Sequence, residues 1–201
     1  MKHLMSKTTY LFLMIFGLFF TAQALANDSS NENDCYQIDN SYQKAICNFK
    51  KAKETRQFFN TAYGYALFPT VGKGGFVVGG AYGDGHVYKN GKITGDTSLT
   101  QLSVGFQLGG QAYSEIIFFQ NEAAYQKFTS GNFEFSAQAS AVAIVIGANA
   151  QTSTTGNSAS AGKSAAAASY VNGMATFTVA KGGLMYEAAL AGQKFTFDKR
   201  D

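Results

Sequence analysis

The stretch from Phe68 to Gly80 reads FPTVGKGGFVVGG, and it holds the one proline of the chain, one lysine and five glycines. Its other residues are β-branched or aromatic, which is typical of β-strands. Glycine inside a strand marks a place where backbones approach closely or where a sheet bends sharply. The stretch therefore predicts part of a strongly curved sheet, although a phosphate-binding loop would also be rich in glycine.

The first 26 residues predict a secretory signal that is cleaved near Ala26. Lys2 and Lys7 precede an apolar run over residues 10–20, and the sequence AQALA at 22–26 places small residues at the spacing that signal peptidase accepts. The apolar run is about half as long as the roughly 20 residues that span a bilayer as a helix. We expect a mature protein that is periplasmic or secreted and that can associate peripherally with a membrane.

Cleavage would leave 175 residues, which is enough for one domain with a sizeable core. Lysine and arginine would then number 14 and aspartate and glutamate 13, because the signal contains two lysines and no acid. A domain that neutralises many phosphates usually has a clear basic excess, so we expect no nucleic-acid partner. Residues 27–40 read as a polar N-terminal segment and residues 41–201 as the folded domain.

The two cysteines are Cys35 and Cys47, in a chain that is expected to enter an oxidising compartment, where disulfides form and persist. On one unbroken helix their separation would place them about 18 Å apart, beyond the roughly 7 Å limit for a bridge. A disulfide therefore requires a turn between them. Asp39-Asn40-Ser41 can supply that turn and an N-cap for the helix that follows. Two free thiols remain the alternative.

Residues 41 to about 61 predict a basic amphipathic helix, since they include no glycine or proline and apolar residues recur at steps of three and four. The apolar positions are Tyr42, Ala45, Ile46, Phe49, Ala52, Phe59 and, just beyond, Tyr63. The basic positions are Lys44, Lys50, Lys51, Lys53 and Arg56, against the single acid Glu54. Such a helix can lie in a membrane interface with its lysines on anionic head groups, or it can simply pack on the sheet.

Beyond residue 64 the hydrophobic period changes from helical to two, which predicts strands. From Gln101 to Ala112, polar or small residues alternate with an apolar set that begins at Leu102. A second long alternating run begins at Phe133. Strands of this length, interrupted by glycine, are typical of a coiled or barrel-like sheet.

Turn and cap residues divide the rest of the chain. Asn90-Gly91 predicts a hairpin turn, and residues 121–130 predict a short helix that is capped by Asn121 and followed by Gly131. Residues 152–168 are almost wholly Ser, Thr, Ala and Gly, which predicts an exposed loop of low complexity. The fold class that follows is α+β, a curved antiparallel sheet or partial β-barrel with an N-terminal amphipathic helix and a short helix.

The residue inventory nominates no catalytic or metal site. His86 is the one histidine after the signal, and one histidine with two cysteines that are expected to pair cannot form a zinc site or a Cys/His nucleophile. Gly162-Lys163-Ser164 resembles the end of a phosphate loop, but Asn157 stands where that motif needs glycine. The acids are scattered, and we expect them, including Glu115, at the solvated surface. We therefore expect no enzyme, no cofactor and no metal.

Residues 65–85, YALFPTVGKGGFVVGGAYGDG, resemble the opening signature of the SYLF domain family, also called Ysc84-like or DUF500. Later blocks match in order: SVGFQLGGQ at 103–111, IIFF at 116–119, and KGGL at 181–184, with Ala191-Gly192 near the end. The resemblance covers roughly residues 61–198. Members of this family are similar in being lipid-binding modules: eukaryotic ones bind phosphoinositides, some also bind actin filaments, and bacterial ones are exported proteins thought to bind phospholipid.

The resemblance implies non-catalytic binding of anionic phospholipid at a membrane surface. The predicted contacts are six basic residues and three phenylalanines that insert: Lys44, Lys50, Lys51, Lys53, Arg56, Lys73, Phe49, Phe58 and Phe59. Among them Lys73 is flanked by glycines whose backbone N–H groups could help it to meet an anionic head group. Two alternatives stay open. One is an outer-membrane β-barrel, whose strands also alternate, and the other is a periplasmic module that binds a protein partner through its sheet edge.

Overall fold

The computed structural model divides the chain into two compact units, residues 1–37 and 38–201, and the helices and strands below all lie in the second. The structure describes residues 35, 37–76, 78–104, 110–135, 141–144, 169–181 and 190–201. The predicted signal at 1–26 and the predicted loop at 152–168 lie outside these residues. Cys35 and Cys47 are disulfide-bonded, so the predicted pairing is confirmed.

Two short helices replace the single helix predicted for residues 41–61. Helix α1 spans Ser41–Lys51 and helix α2 spans Lys53–Thr61, and Ala52 between them has extended backbone angles, φ −69° and ψ 127°. Asn40 caps α1 as predicted, because its side-chain oxygen accepts hydrogen bonds from the backbone N–H groups of residues 42 and 43 at 3.0 and 3.1 Å. The predicted continuous helix is therefore wrong at Ala52, while its start is correct.

The break at Ala52 turns two phenylalanines toward the same surface. Phe49 and Phe58 are nine residues apart, and at about 100° per residue a continuous helix would point them in opposite directions. In the structure both are buried in one core. Thr55 stabilises the break between the two helices. Its hydroxyl donates to the carbonyl oxygen of Phe49 and lies 3.1 Å from the carbonyl oxygen of Ala52. Neither glycine nor proline marks this position, so periodicity alone could not predict it.

The strands of the described residues form one sheet that curls into a half-barrel. They are β1 (Gly64–Phe76), β2 (Val78–Lys89), β3 (Lys92–Val104), β4 (Gln111–Phe119), β5 (Phe133–Glu134), β6 (Ala141–Ile144), β7 (Met174–Lys181), β8 (Lys194–Phe195) and β9 (Asp198–Lys199). Their order is β5-β8-β3-β2-β1-β4-β7-β6, with β9 paired to β3. Helix α3 (Glu122–Phe128) follows β4. The predicted α+β class with a curved sheet is confirmed, although β6 and β7 pair in parallel.

The glycine-rich stretch FPTVGKGGFVVGG falls in the second half of β1 and the first residues of β2, which form an antiparallel hairpin. The register of β1 shifts just beyond Leu67, where Pro69 lies. A bulge there admits a proline, which has no N–H to donate, into a central strand. Gly85 of β2 faces this bulge, and a Cβ on Gly85 would come within 2.6 Å of the Leu67 carbonyl oxygen and 2.7 Å of the Phe68 ring. Within the stretch itself, a Cβ on Gly75 would come within 2.2 Å of the Gly79 Cα, so the predicted close approach is confirmed there, whereas a Cβ on Gly72 or Gly74 would meet nothing within 4 Å.

Each face of the sheet carries its own core. On the helix face, α1 and α2 pack against the sheet, and the buried residues are Ala45, Phe49, Phe58, Leu67, Tyr88, Ile116, Phe118, Ala175, Phe177 and Val179. On the opposite, inner face the core includes residues of α3 and of the C-terminal strands, among them Phe68, Val71, Val87, Leu99, Ile117, Phe119, Phe128, Phe133, Leu190 and Phe195. The helix face is the one that positions the predicted basic residues.

Other local predictions are confirmed. Asn90 and Gly91 both have positive φ, 53° and 75°, as a type I′ hairpin turn between β2 and β3 requires. The Asn121 side chain caps α3 by accepting a hydrogen bond of 3.0 Å from the N–H of Ala124. Gly131, two residues beyond the C-cap of α3, has φ 92°. Each of these features depends on residues that are adjacent in sequence.

The alternating run predicted from Gln101 to Ala112 is divided between the end of β3 and the start of β4, and at the end of β3 the burial is opposite to the expectation. Gln101 is buried on the inner face, where its amide donates to the Ala191 carbonyl oxygen at 2.8 Å. Leu102, assigned to the apolar face, is 87% exposed. Alternation in the sequence shows that two faces differ, but the register with neighbouring strands decides which face is covered.

Candidate functional site

The predicted basic residues of α1 and α2 lie at the surface. Lys50, Lys53 and Arg56 are exposed, and Lys44 and Lys51 are half-buried. Among the described residues, no carboxylate forms an ion pair with Lys50, Lys53 or Arg56. The Arg56 guanidinium donates to the Lys51 carbonyl oxygen at 3.3 Å, which leaves its charge unneutralised. The two helices therefore present a positively charged outer surface.

Two of the three phenylalanines predicted to insert into a membrane belong to the core. Phe49 and Phe58 are buried, and the Phe58 ring lies 5.0 Å from that of Phe177. Phe59 is half-buried, with its ring edge-on to Phe118 at 4.9 Å and the Lys50 Nζ 5.6 Å from its centroid. This placement corrects the expectation for Phe49 and Phe58, which anchor the helices to the sheet, and leaves Phe59 within reach of the surface.

Lys73 does not join the helical lysines. It lies on β1 opposite Ala81 of β2 and Gln111 of β4. Because residues alternate along a strand, Lys73 shares the inner face with buried Val71, and it is half-buried there. The predicted set of contacts is therefore divided between the two faces of the sheet.

The basic residue that the fold brings beside α1 is Lys181, which was not among the lipid contacts predicted from the sequence. Lys181 ends β7, and its Nζ donates to the Thr70 Oγ1 of β1 at 2.6 Å, across 111 residues of sequence. Desolvation, and next the positive charge of Lys44, lower the pKa of Lys181. No described acid forms an ion pair with Lys181. We call Lys44 and Lys181 the lysine pair; two ammonium groups that repel each other form a place where an anion is stabilised.

Beyond the part covered by α1, the helix face continues as an open surface on strands β1, β2 and β3. We call it the hairpin face and define it by these residues, which the register places there: Gly72, Gly74, Val78, Gly80, Tyr82, Thr100 and Leu102. Thr100 is exposed, and so are the three large hydrophobic side chains, 87% for Leu102, 61% for Val78 and 55% for Tyr82. A Cβ added at Gly72 or Gly74 would meet nothing within 4 Å. The glycines here leave a bare sheet surface rather than relieve a close contact.

Glu115 is the residue whose surroundings differ most from the sequence expectation. Instead of lying at the solvated surface it is fully buried on the inner face of β4, and burial raises the pKa of its carboxyl to about 8. The Gln193 amide donates to its Oε2 at 3.2 Å and to the Tyr113 hydroxyl at 3.3 Å. The expectation failed because Glu115 lies between Ser114 and the apolar run at residues 116–119. A charged residue at the edge of such a run does not show which face of the sheet it will occupy.

His86 is held in a structural cluster. Its ring stacks on Tyr42 of α1 with centroids 4.1 Å apart, and its Nδ1 lies 2.8 Å from the Asp96 Oδ1. Arg200 donates two hydrogen bonds to Asp96, at 2.7 and 2.8 Å, and these lower the pKa of Asp96. The cluster joins α1, β2, β3 and the last residues of the chain. In the described residues no group of three or more His, Cys, Asp or Glu side chains could hold a metal ion.

The helices of the described residues are too short or too polar to cross a membrane.

A family model named Ysc84, described as "Las17-binding protein actin regulator", matches residues 100–201. Among curated proteins, Beta cell expansion factor A of Aeromonas veronii is 26% identical over 155 residues, which are 75% of this chain and 52% of that protein. The chain thus spans about half the length of this curated relative.

Proposed function

Because this chain belongs to the Ysc84 family, which is also called the SYLF family, we propose that it binds anionic phospholipid at a membrane surface and catalyses no reaction. The observation that carries the proposal is the lysine pair. The pKa of Lys181 is lowered by burial and by the charge of Lys44, so a phosphate beside both ammonium groups would relieve the repulsion between them. The Thr70 hydroxyl, 2.6 Å from the Lys181 Nζ, fixes one of the two ammonium groups in place.

The outer surface of α1 and α2 extends the lysine pair. Lys50, Lys53 and Arg56 are exposed and form no ion pair with a described acid. A lysine or arginine near an anionic leaflet contributes about 1 kcal/mol to binding. Phe49 and Phe58 are buried beneath these helices, so the basic surface keeps a fixed position on the sheet. Phe59, half-buried at the same surface, is the phenylalanine that remains available for lipid contact.

The expected location of the protein fits this role. A disulfide between Cys35 and Cys47 is compatible with an oxidising, exported compartment. We propose that the mature protein is periplasmic or secreted and meets the membrane peripherally. The half-buried Lys73 lies on the inner face, and in this proposal it is a secondary contact rather than part of the lysine pair.

Co-sedimentation with vesicles tests the proposal. Vesicles of phosphatidylcholine alone are compared with vesicles that also contain phosphatidylglycerol, each at low and high salt. We expect binding to the anionic vesicles only, and we expect salt to weaken it because exposed charges are screened. The variant Lys44→Glu with Lys181→Glu should bind at least about tenfold more weakly, since two favourable charges become unfavourable.

The matched control is Lys92→Glu with Lys199→Glu, which makes the same change in net charge at two exposed lysines away from the lysine pair. Lys92 is the first residue of β3, directly after the turn that joins β2 and β3, and it lies at the far end of these strands from the hairpin face. Equal losses in both double variants would show a response to net charge and would contradict a role for the lysine pair. Absence of binding to every vesicle would refute the proposal and favour a protein partner.

A further inference from the structure

We infer that the hairpin face is the part of the protein that enters the bilayer, with Leu102 and Val78 in the acyl region and the lysine pair at the phosphates. This inference rests on the proposed function and extends it from a charged contact to a penetrating one. Its basis is the exposure of three large side chains: Leu102 is 87% exposed, Val78 61% and Tyr82 55%. Contiguous apolar residues on a sheet that has a filled core elsewhere are typical of an interaction surface.

The residues of the helix face change in character along the strands. The lysine pair and Thr70 come first, and Asp84 lies opposite Thr70. Next comes Tyr82, opposite Gly72, and its hydroxyl donates to Asp84 at 2.6 Å. Leu102 follows, opposite Gly80, and Val78 lies at the start of β2. Thr100 lies opposite Tyr82, so the order is charge, then Tyr82 and Thr100 with their polar hydroxyl groups, then aliphatic residues.

This order matches the layers of a membrane interface. Lysines interact with head-group phosphates, and tyrosine is enriched where the polar and hydrocarbon layers meet. Gly74 lies four residues beyond Thr70 on β1, which is about 13 Å along an extended strand. The head-group region of one leaflet is about 5–8 Å deep. A hairpin that is tilted from the membrane normal can therefore hold its lysine pair at the phosphates while Leu102 reaches the acyl chains.

The backbone of the hairpin suits a medium that offers no hydrogen bonds. From Val78 onward β2 is paired on both sides, with β1 through Phe76 and with β3 through Val104. Paired backbone groups avoid the cost of unsatisfied N–H and C=O groups in hydrocarbon. Gly72 and Gly74 add no side chain to the face, so the inserted part stays thin. A second copy of the chain would bring its own lysine pair, and the two pairs would repel each other. The charges on this face therefore favour an anionic leaflet as the partner.

A single tryptophan can test the inference, because the chain contains none. Leu102→Trp places the fluorophore on the hairpin face. Ile93→Trp is the matched control, since Ile93 is 39% exposed on the same strand but lies at the opposite end, beside Tyr88. With vesicles of phosphatidylcholine and phosphatidylglycerol, the emission of Leu102→Trp should shift to the blue. Phospholipids brominated on their acyl chains should quench it, whereas Ile93→Trp should show neither effect.

A second pair of variants measures the contribution to binding. Leu102→Asp should weaken co-sedimentation with anionic vesicles by about tenfold or more, because an aliphatic contact is lost and a repulsive charge is introduced. Ile93→Asp should leave binding within about twofold of the unchanged protein.

The outcomes separate the two proposals. If Leu102→Trp co-sediments with anionic vesicles but is not quenched by brominated lipid, penetration is refuted and surface binding stands. If neither tryptophan variant nor the unchanged protein co-sediments, the proposed function itself fails. A blue shift of Leu102→Trp that depends on protein concentration without vesicles would show a second copy on the hairpin face and would overturn the inference.

Discussion

Gln193 and Glu115 meet in the interior of the half-barrel, where the Gln193 Nε2 lies 3.2 Å from the Glu115 Oε2 although 78 residues separate them in the sequence. Thr178 of β7 is directly opposite Glu115 of β4. Within the structure described, Glu115 Oε1, Gln193 Oε1 and Thr178 Oγ1 have no hydrogen-bond partner. Burial raises the pKa of Glu115 to about 8, so its carboxyl is mostly protonated at neutral pH.

Glu115 should make the protein less stable as the pH rises. The carboxyl titrates near 4.5 in the unfolded chain and near 8 in the folded one, so between these values the folded state retains a proton that the unfolded state has released. Its stabilising contribution is complete below the unfolded pKa and is lost as pH rises through the folded pKa. We expect the free energy of unfolding to fall by a few kcal/mol between about pH 5 and about pH 9, measured by urea titration.

Glu115→Gln isolates this effect, because a glutamine cannot ionise. The variant should be more stable than the unchanged protein at high pH, and the difference between them should shrink at low pH. Glu134→Gln, a change at an exposed acid on β5, is the control and should leave the pH profile unchanged. Parallel profiles for Glu115→Gln and the unchanged protein would show that Glu115 does not titrate in this range.

Thr55→Val should destabilise the protein by about 1–2 kcal/mol, because it removes the buried hydroxyl that bonds to the carbonyl oxygens of Phe49 and Ala52 at the break between α1 and α2. Chemical denaturation measures the change. Thr61→Val removes an exposed hydroxyl that bonds to the Gln57 carbonyl oxygen at 2.9 Å, and it should have little effect. An equal loss in both variants would rule out a special role for the break.

Phe58→Ala should be much more damaging than Phe59→Ala. Phe58 is buried against Phe118, Phe177 and Tyr170, so its removal leaves a cavity that costs about 3–5 kcal/mol. Phe59 is half-buried, and its removal should cost less than half as much. Thermal and urea unfolding compare the two variants. Similar losses would contradict the assignment of Phe58 to the core and Phe59 to the surface.

Gly85→Ala and Gly72→Ala should change the free energy of unfolding by different amounts or in opposite directions. At Gly85 a Cβ would come within 2.6 Å of a backbone oxygen of β1, and such overpacking costs about 1–3 kcal/mol. At Gly72 a Cβ would meet nothing within 4 Å, so alanine should be neutral or slightly stabilising. Urea denaturation of the two variants measures the contrast, and equal destabilisation would contradict the assignment of Gly85 to a close contact and of Gly72 to an open surface.

Much of the candidate site could not be read from the sequence. The basic residues of α1 and α2 were correctly placed at the surface, because a strongly charged helix face is rarely buried. The lysine pair was missed, since Lys181 approaches Lys44 only when β7 pairs with β4 and β4 with β1. Phe49 and Phe58 were misjudged because one helical period was extended across Ala52, where the phase of the apolar face changes.

The sequence by itself determined the features that depend on neighbouring residues. These are the cap at Asn40, the hairpin turn at Asn90-Gly91 and the short helix after Asn121. Tertiary structure alone decided which strand faces are covered, so that Gln101 and Glu115 are buried while Leu102 is exposed. The physical reason is that local hydrogen bonds and backbone angles are set within a few residues. Burial depends on the register between strands that the chain brings together from distant positions.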